Sequence, residues 1–357
     1  MVEWRELQKD MKVLRGKRLT KNLLDDNASY PVFHGGIEPL GRYGDYNREA
    51  NTVMIINVGA SAGTVGFCNS RFWSSDGCFC ISHSEEVSSK FLYYFMLGKT
   101  HYLQSQVRYA GIPTLDNSVI EKIKIPILSL SEQNRIVGIL DTFTSSIDNL
   151  KEQIAQRRKQ YEYYRDQLLD LEGKEGVEKR VLKEVCEVIN GRAYSQPELL
   201  DKGKYRVLRV GNFFSNDSWY YSDLELEDKY YCNKGDLLYA WSASFGPHIW
   251  EEEKVIYHYH IWKMNCKEAL DTKYMYYWLQ SEDMKKQAFS NLHGATMAHL
   301  TKVLMESLKV PVPSLSEQQR IVDILDKFEA SIQNLEAQLS QREKQYEYYR
   351  NKLLTFE

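Results

Sequence analysis

One segment of this chain occurs twice, and that duplication constrains the fold more than any other feature. Residues 126–169, PILSLSEQNRIVGILDTFTSSIDNLKEQIAQRRKQYEYYRDQLL, align without a gap to residues 311–354, PVPSLSEQQRIVDILDKFEASIQNLEAQLSQREKQYEYYRNKLL. By direct comparison 29 of 44 positions are identical. Repetition on this scale implies two equivalent structural modules. Each copy follows a short strand-like run, Ile123-Lys124-Ile125 or Leu308-Lys309-Val310. Ser131 and Ser316 then stand before Glu-Gln and read as helix N-caps. Three residues on lie Asn134 and Gln319, so a full capping box is expected only in the second copy.

Both helices carry a seam whose steps alternate four and three. In the first copy it runs Ile136, Leu140, Phe143, Ile147, Leu150, Ile154, Arg157, Tyr161, Tyr164, Leu168. In the second it runs Ile321, Leu325, Phe328, Ile332, Leu335, Leu339, Arg342, Tyr346, Tyr349, Leu353. A sustained 4-3 repeat predicts a coiled coil rather than a helix lying on a sheet. About 38 helical residues make a rod of ~57 Å. Parallel pairing would force the intervening chain back along the whole rod, so the pair is expected to be antiparallel. The seam tyrosines then read as large packing residues with wet hydroxyls, or else as contacts with the globular domains.

The segments between the copies also correspond, weakly but in order. VLRGK (13–17) parallels VINGR (188–192), and YPVFHGG (30–36) parallels YRVLRVG (205–211). MIINVGASAG (54–63) parallels LLYAWSASFG (237–246), and FLYYFML (91–97) parallels YMYYWLQ (274–280). Strand-like runs at Thr52–Val58, Tyr205–Val210, Asp236–Trp241 and Val255–Met264 precede aromatic helices at Ser88–Leu97 and Thr272–Leu279. The expected fold class is α+β: two mixed domains, 1–125 and 173–310, each followed by a long helical region, 126–172 and 311–357, the helices forming an antiparallel coiled coil about a pseudo-two-fold repeat.

Several function classes drop out. No apolar run is long enough to span a membrane. The charged start, MVEWRELQKDMKVLRGKRL, lacks a signal core, so export is not expected. The six cysteines form no CxxC pair and read as reduced cytosolic thiols, with no metal expected. The net charge of −3 excludes a simple polycation, so any nucleic-acid surface must be a local patch. VGASAGTVG (58–66) fails the dinucleotide spacing and reads as a tight turn; GKT (98–100) lacks the upstream glycine of a phosphate loop. His258 and His260 sit at i, i+2 on a predicted strand face, more a partner-facing surface than a metal pair. No nucleophile, cofactor cradle or acid/base pair emerges, so no catalytic residue is assigned.

The two copies of P-x-x-S-L-S-E-Q-x-R-I-V-x-I-L-D, at 126–141 and 311–326, flanking dissimilar domains, resemble the specificity subunit of type I restriction–modification enzymes. The resemblance spans the whole chain. It implies two target recognition domains, each reading one half of a split, asymmetric double-stranded DNA sequence, with the helices as spacer. It implies docking of two modification (methyltransferase) subunits and further restriction/translocase subunits. S-adenosylmethionine, ATP and magnesium are then expected in those partners, none in this chain, and the setting is cytoplasmic. Side chains suited to DNA in loop-rich stretches are Arg42, Tyr43, Asn47, Arg48, Ser61, Lys99 and Arg108 in the first domain. In the second they are Arg209, Asn212, Trp219, Tyr220, Trp241, Ser242, Ser244, His258, His260, Lys285 and Lys286. The competing readings are a coiled-coil scaffold that never touches DNA and, more remotely, a self-sufficient nuclease.

Overall fold

Every residue of the strand Thr52–Ile56 is buried, because alternate side chains enter different cores. Val53 and Ile55 face a helix-covered core with Phe91, Leu92 and Phe95, while Met54 and Ile56 face a second core with Phe33, Phe72 and Cys78. The strand Leu237–Ser242 behaves alike: Leu237 and Tyr239 enter one core and Leu238 another. Such a strand sits between a helix layer and a second sheet. The computed structural model, which describes residues 2–213, 216–242, 244–289 and 300–356, contains two units. One is Met1–Glu152 with Glu336–Glu357; the other is Gln153–Leu335.

In the first unit a four-stranded sheet runs Val13–Leu14, Cys78–Ile81, Thr52–Ile56, Val65–Cys68, all antiparallel. A smaller sheet runs Gly41–Tyr43, Tyr30–Phe33, Trp73–Ser74, its last pair parallel. The second unit repeats this plan. Cys186–Asn190, Ile261–Cys266, Leu237–Ser242 and Ser244–Ile249 form one sheet. Tyr220–Ser222, Tyr205–Leu208, Val255–Tyr257 and Tyr231–Cys232 form the other, with Tyr205–Leu208 parallel to Val255–Tyr257. Glycine is required where the sheets meet. A Cβ on Gly16 would lie 1.8 Å from the Ser75 carbonyl oxygen, and one on Gly191 would lie 2.3 Å from that of His258.

Here the structure corrects one expectation. Val255–Met264 is not a single strand: Val255–Tyr257 ends in one sheet and Ile261–Cys266 begins in the other. His258 and His260 therefore occupy the turn that carries the chain between sheets, not a strand face.

The long helices are Leu130–Leu169 and Leu315–Leu353. Their caps lie two residues earlier than the sequence suggested. Ser129 Oγ accepts from the Glu132 N–H (3.3 Å) and Ser314 Oγ from the Glu317 N–H (3.4 Å). Glu132 and Glu317 turn instead to Arg135 and Arg320. Gln133 and Gln318 are wholly buried. Gln133 accepts from Ser88 N–H and donates to the Glu86 and Leu128 carbonyls. Gln318 accepts from Asp271 N–H and donates to those of Ala269 and Pro313. Each amide ties the helix foot to the loop before the aromatic helix of its unit.

The helices run antiparallel. In the first unit Phe143 stacks on Tyr349 (5.3 Å) while Lys151, two turns on, meets Glu343 (3.6 Å). In the second unit Tyr164 stacks on Phe328 (5.5 Å). The seam arginines cover these phenylalanines, Arg157 over Phe328 and Arg342 over Phe143. The seam does not act as a coiled coil to its ends, however. Ile136 and Leu140 are fully buried in the core of the first unit, Ile321 and Leu325 in that of the second. The far ends are also taken up: Tyr161 and Leu168 pack into the second unit's core, Tyr346 and Leu353 into the first's.

The paired tyrosines differ in one respect. Tyr161 donates to Glu329 (3.3 Å), which Tyr277 also approaches (3.1 Å) while bonding Asp326 (2.5 Å). In the first unit Thr144 stands in the place of Glu329, Tyr94 bonds Asp141, and the Tyr346 hydroxyl is buried with no hydrogen-bond partner among the described residues. Burial raises the pKa of Glu329 despite the tyrosine donors.

Gln318→Ala leaves three backbone groups at the helix foot without their amide partner and should cost about 3 kcal/mol, read from urea unfolding. A carboxylate with a raised folded-state pKa contributes its full stability below its unfolded pKa, near ~4.3, and loses it as pH climbs through the raised value. Glu329→Gln should therefore raise the melting temperature at pH 8 and leave it nearly unchanged at pH 4.

Candidate nucleic-acid interface

The turn between the sheets gathers the chemistry of the second unit. His258 N–H donates to the Leu208 carbonyl (2.9 Å) and Tyr259 N–H to that of Arg192 (3.0 Å), which fixes the turn against two neighbouring strands. Trp241 Nε1 donates to the Tyr259 carbonyl (2.9 Å), and its ring meets His260 edge-on at 5.1 Å. The His258 and His260 rings lie 4.8 Å apart, and Tyr194 stacks beside His258. Arg209 extends over the Tyr220 ring (4.3 Å). Asn212 shapes the adjoining loop, accepting from Arg209 N–H and donating to the Asn216 and Ser218 carbonyls. Trp219 lies under Arg206 (4.7 Å). Ser242 ends the strand beside Trp241. Ser244 opens the paired strand, and its side chain lies outside the described part. The result is a surface of aromatic faces, a guanidinium and two imidazoles. Flat π faces and cations suit nucleobases and phosphates.

Burial, the His260 ring and the nearby Arg209 charge lower the His258 pKa to about 4. At neutral pH it is an uncharged imidazole with one donor and one acceptor nitrogen. Arg192 and the Ser195 backbone and hydroxyl hold the Glu198 carboxyl at about 2, so that acid stays ionised on its arginine.

Lys285 and Lys286 lie elsewhere, on the helix Glu282–Phe289. Lys285 pairs with Glu282, and Lys286 borders a cleft lined by Asp166, Asp170, Glu172, Glu282 and Asp283. Carboxylates there repel a phosphate backbone, which separates these lysines from the aromatic surface in kind as well as place.

In the first unit the sequence candidates divide. Arg42 turns back onto the Ala28 and Ser29 carbonyls (2.5 Å each). Arg48 bonds the Asn47 and Arg15 carbonyls, and Asn47 bonds both backbone groups of Ser74. These three brace loops. Tyr43 packs edge-on against Trp73 (5.2 Å). Lys99 covers Phe95. Ser61 lies in the glycine turn, where Gly59 and Gly63 take positive φ and Gly59 N–H donates to Pro113. That turn adjoins the loop of Arg108, an exposed arginine paired with Asp116 (2.9 Å). Sequence reasoning passed over a cleft of about 510 Å³ that includes Arg18, Lys21, His34, Asn57 and Asp76. The internal alignment could have found it, since YPVFH against YRVLR places His34 opposite Arg209.

The family model of the type I restriction modification DNA specificity domain matches residues 2–157 and again residues 174–343. The chain belongs to that family. The MjaVIII type I restriction enzyme specificity subunit of Methanocaldococcus jannaschii is 25% identical over 85% of this chain and 78% of its own length. The EcoR124I/EcoR124II specificity subunit of Escherichia coli is 29% identical over 68% of this chain and 65% of that protein. The crystal structure of a type I restriction–modification S subunit from M. genitalium superposes with a TM-score of 0.65 over 100% of this chain and 97% of that one, at 19% identity, and so shows the shared fold. As a member of this family, the chain is a DNA-recognition subunit. The aromatic-basic turn and the His34 cleft occupy equivalent places in the two units.

His258 should titrate near pH 4 when followed by the chemical shift of its imidazole Cε1 proton. A group kept neutral in this way supports the fold above its unfolded pKa near ~6.5 and withdraws that support as pH falls toward 4.

Proposed function

We propose that each unit reads one half of a bipartite, asymmetric DNA target, and that the long helices dock two identical modification subunits, to which restriction subunits can be added. The observation that carries this reading is a contrast. Two units of one topology hold different side chains at the same turn, whereas the helices keep theirs. Arg135–Glu132 and Arg320–Glu317 form the same pair with the same 2.7 Å contact. Tyr163 and Tyr348 are exposed alike on the two helices. A surface presented twice suits one partner bound twice, while a surface that differs suits two half-sites.

Long unbroken helices are the kind of element that a fixed gap between half-sites requires, on a duplex that turns every ~34 Å. In this reading the chain supplies recognition and no chemistry. S-adenosylmethionine, ATP and magnesium act in the partner subunits, and the complex works in the cytoplasm. Among the described residues no helix is long and apolar enough to cross a membrane. The family match does not favour a scaffold that ignores DNA.

Mapping methylated adenines in genomic DNA with and without this gene tests the reading. A split motif should be present with the gene and vanish without it. The assembled complex should also bind the matching duplex with affinity that falls steeply as salt rises. A methylome with no gene-dependent split motif would refute the proposal.

A further inference from the structure

The two units place different chemistry at the same joint. His34 follows the strand Tyr30–Phe33 as Arg209 follows Tyr205–Leu208. Asp76 lies in the turn after Trp73–Ser74, as Tyr259 lies in the turn after Val255–Tyr257. In the second unit Arg209 and the imidazoles offer cations and rings. In the first, His34 Nδ1 lies 3.2 Å from Asp76 Oδ1, and both side chains are nearly half exposed. The Gly77 N–H also reaches His34 Nδ1 (3.2 Å). The Asp76 carboxylate and the Gly77 N–H compete for Nδ1, so the ring either donates from Nδ1 to the carboxylate or accepts there from Gly77, and in both cases Nε2 is left for a partner. A Cβ at position 77 would come within 2.8 Å of His34 Nδ1, so glycine there keeps the ring in place. Asp76 is braced as well: its Oδ1 accepts from Ser75 Oγ (3.0 Å) and its carbonyl from Asn57 Nδ2 (3.3 Å).

A carboxylate in the cleft argues against a phosphate at that point, because like charges repel. A carboxylate beside an imidazole nitrogen can instead meet a base edge. Carboxylates accept from exocyclic amino groups, which in the major groove mark adenine N6 and cytosine N4. Arg18 and Lys21, on the same cleft, are left to hold the flanking backbone. We propose that His34 and Asp76 are the base-reading pair of the first unit, specific for a base that presents an exocyclic amino group in the major groove. This rests on the DNA-recognition reading above.

The test uses the full complex with its modification partner. In wild type the methylome gives the split motif. Asp76→Asn should lower discrimination at one base pair of one half-site by about tenfold to a hundredfold, with the other half unchanged. The identity of that base pair, A·T or G·C, names the amino group. His34→Gln should affect the same base pair, which keeps the test alive if Asp76→Asn melts early. Arg209→Ala should act only on the opposite half. An unchanged motif in both cleft variants, or an equal loss of binding to all duplexes, overturns the pair as a base reader while leaving the bipartite reading intact. Absence of any split motif in wild type would instead remove the foundation.

Discussion

A buried amide stands at the foot of each long helix, and the rest of the architecture is arranged around it. Gln133 and Gln318 each satisfy three backbone groups in a dry setting. A glutamine can make these bonds in one orientation only, with its carbonyl toward one N–H and its amine toward two carbonyls. The helix is thereby joined to its unit at a defined angle and register. The strand pairs Glu3–Glu6 with Lys124–Ile127, and Glu178–Val181 with Lys309–Val312, close the same joint from the other side. With the foot fixed, sheet side chains can change without moving the helix.

The distribution of difference between the units follows from burial. Strands such as Thr52–Ile56 and Leu237–Ala240 feed two cores at once, so their exchange is limited to apolar residues of similar volume. The turn between the sheets has no such duty beyond the glycine contact at Gly16 or Gly191. It can hold Ser75-Asp76 in one unit and His258-Tyr259-His260 in the other. Charge follows: one unit shows a carboxylate beside an imidazole, the other a guanidinium among aromatic rings. A net charge of −3 for the chain is compatible with DNA recognition because the relevant charge is local.

The repeat and the helices were legible because a 4-3 seam is a property of one segment alone. Where that seam is buried was not. Ile136 and Leu140 obey the same spacing as Ile147, yet a domain core covers them, and spacing carries no information about the covering partner. The helix caps were displaced for a related reason, since S-L-S offers two serines and only the entry geometry selects Ser129 and Ser314. Val255–Met264 read as one strand because no glycine or proline marks the passage between sheets. Arg42 and Arg48 looked like DNA ligands, since a sequence does not show that a nearby carbonyl already binds a guanidinium. Trp241, His258 and His260 stand out in the sequence because aromatic and basic residues together are uncommon inside a core, but that they meet at one turn was not legible.

One packing detail bears on how the polypeptide is made. The core of the first unit is completed by Tyr346, Leu353, Leu354 and Phe356, and Phe356 meets Trp4 and Phe91. Those residues are synthesised well over two hundred positions after the sheets they cover. During translation the nascent N-terminal unit must therefore wait with an uncovered apolar flank until the ribosome releases the last turn of the second helix, while the other unit has all its own pieces in hand earlier.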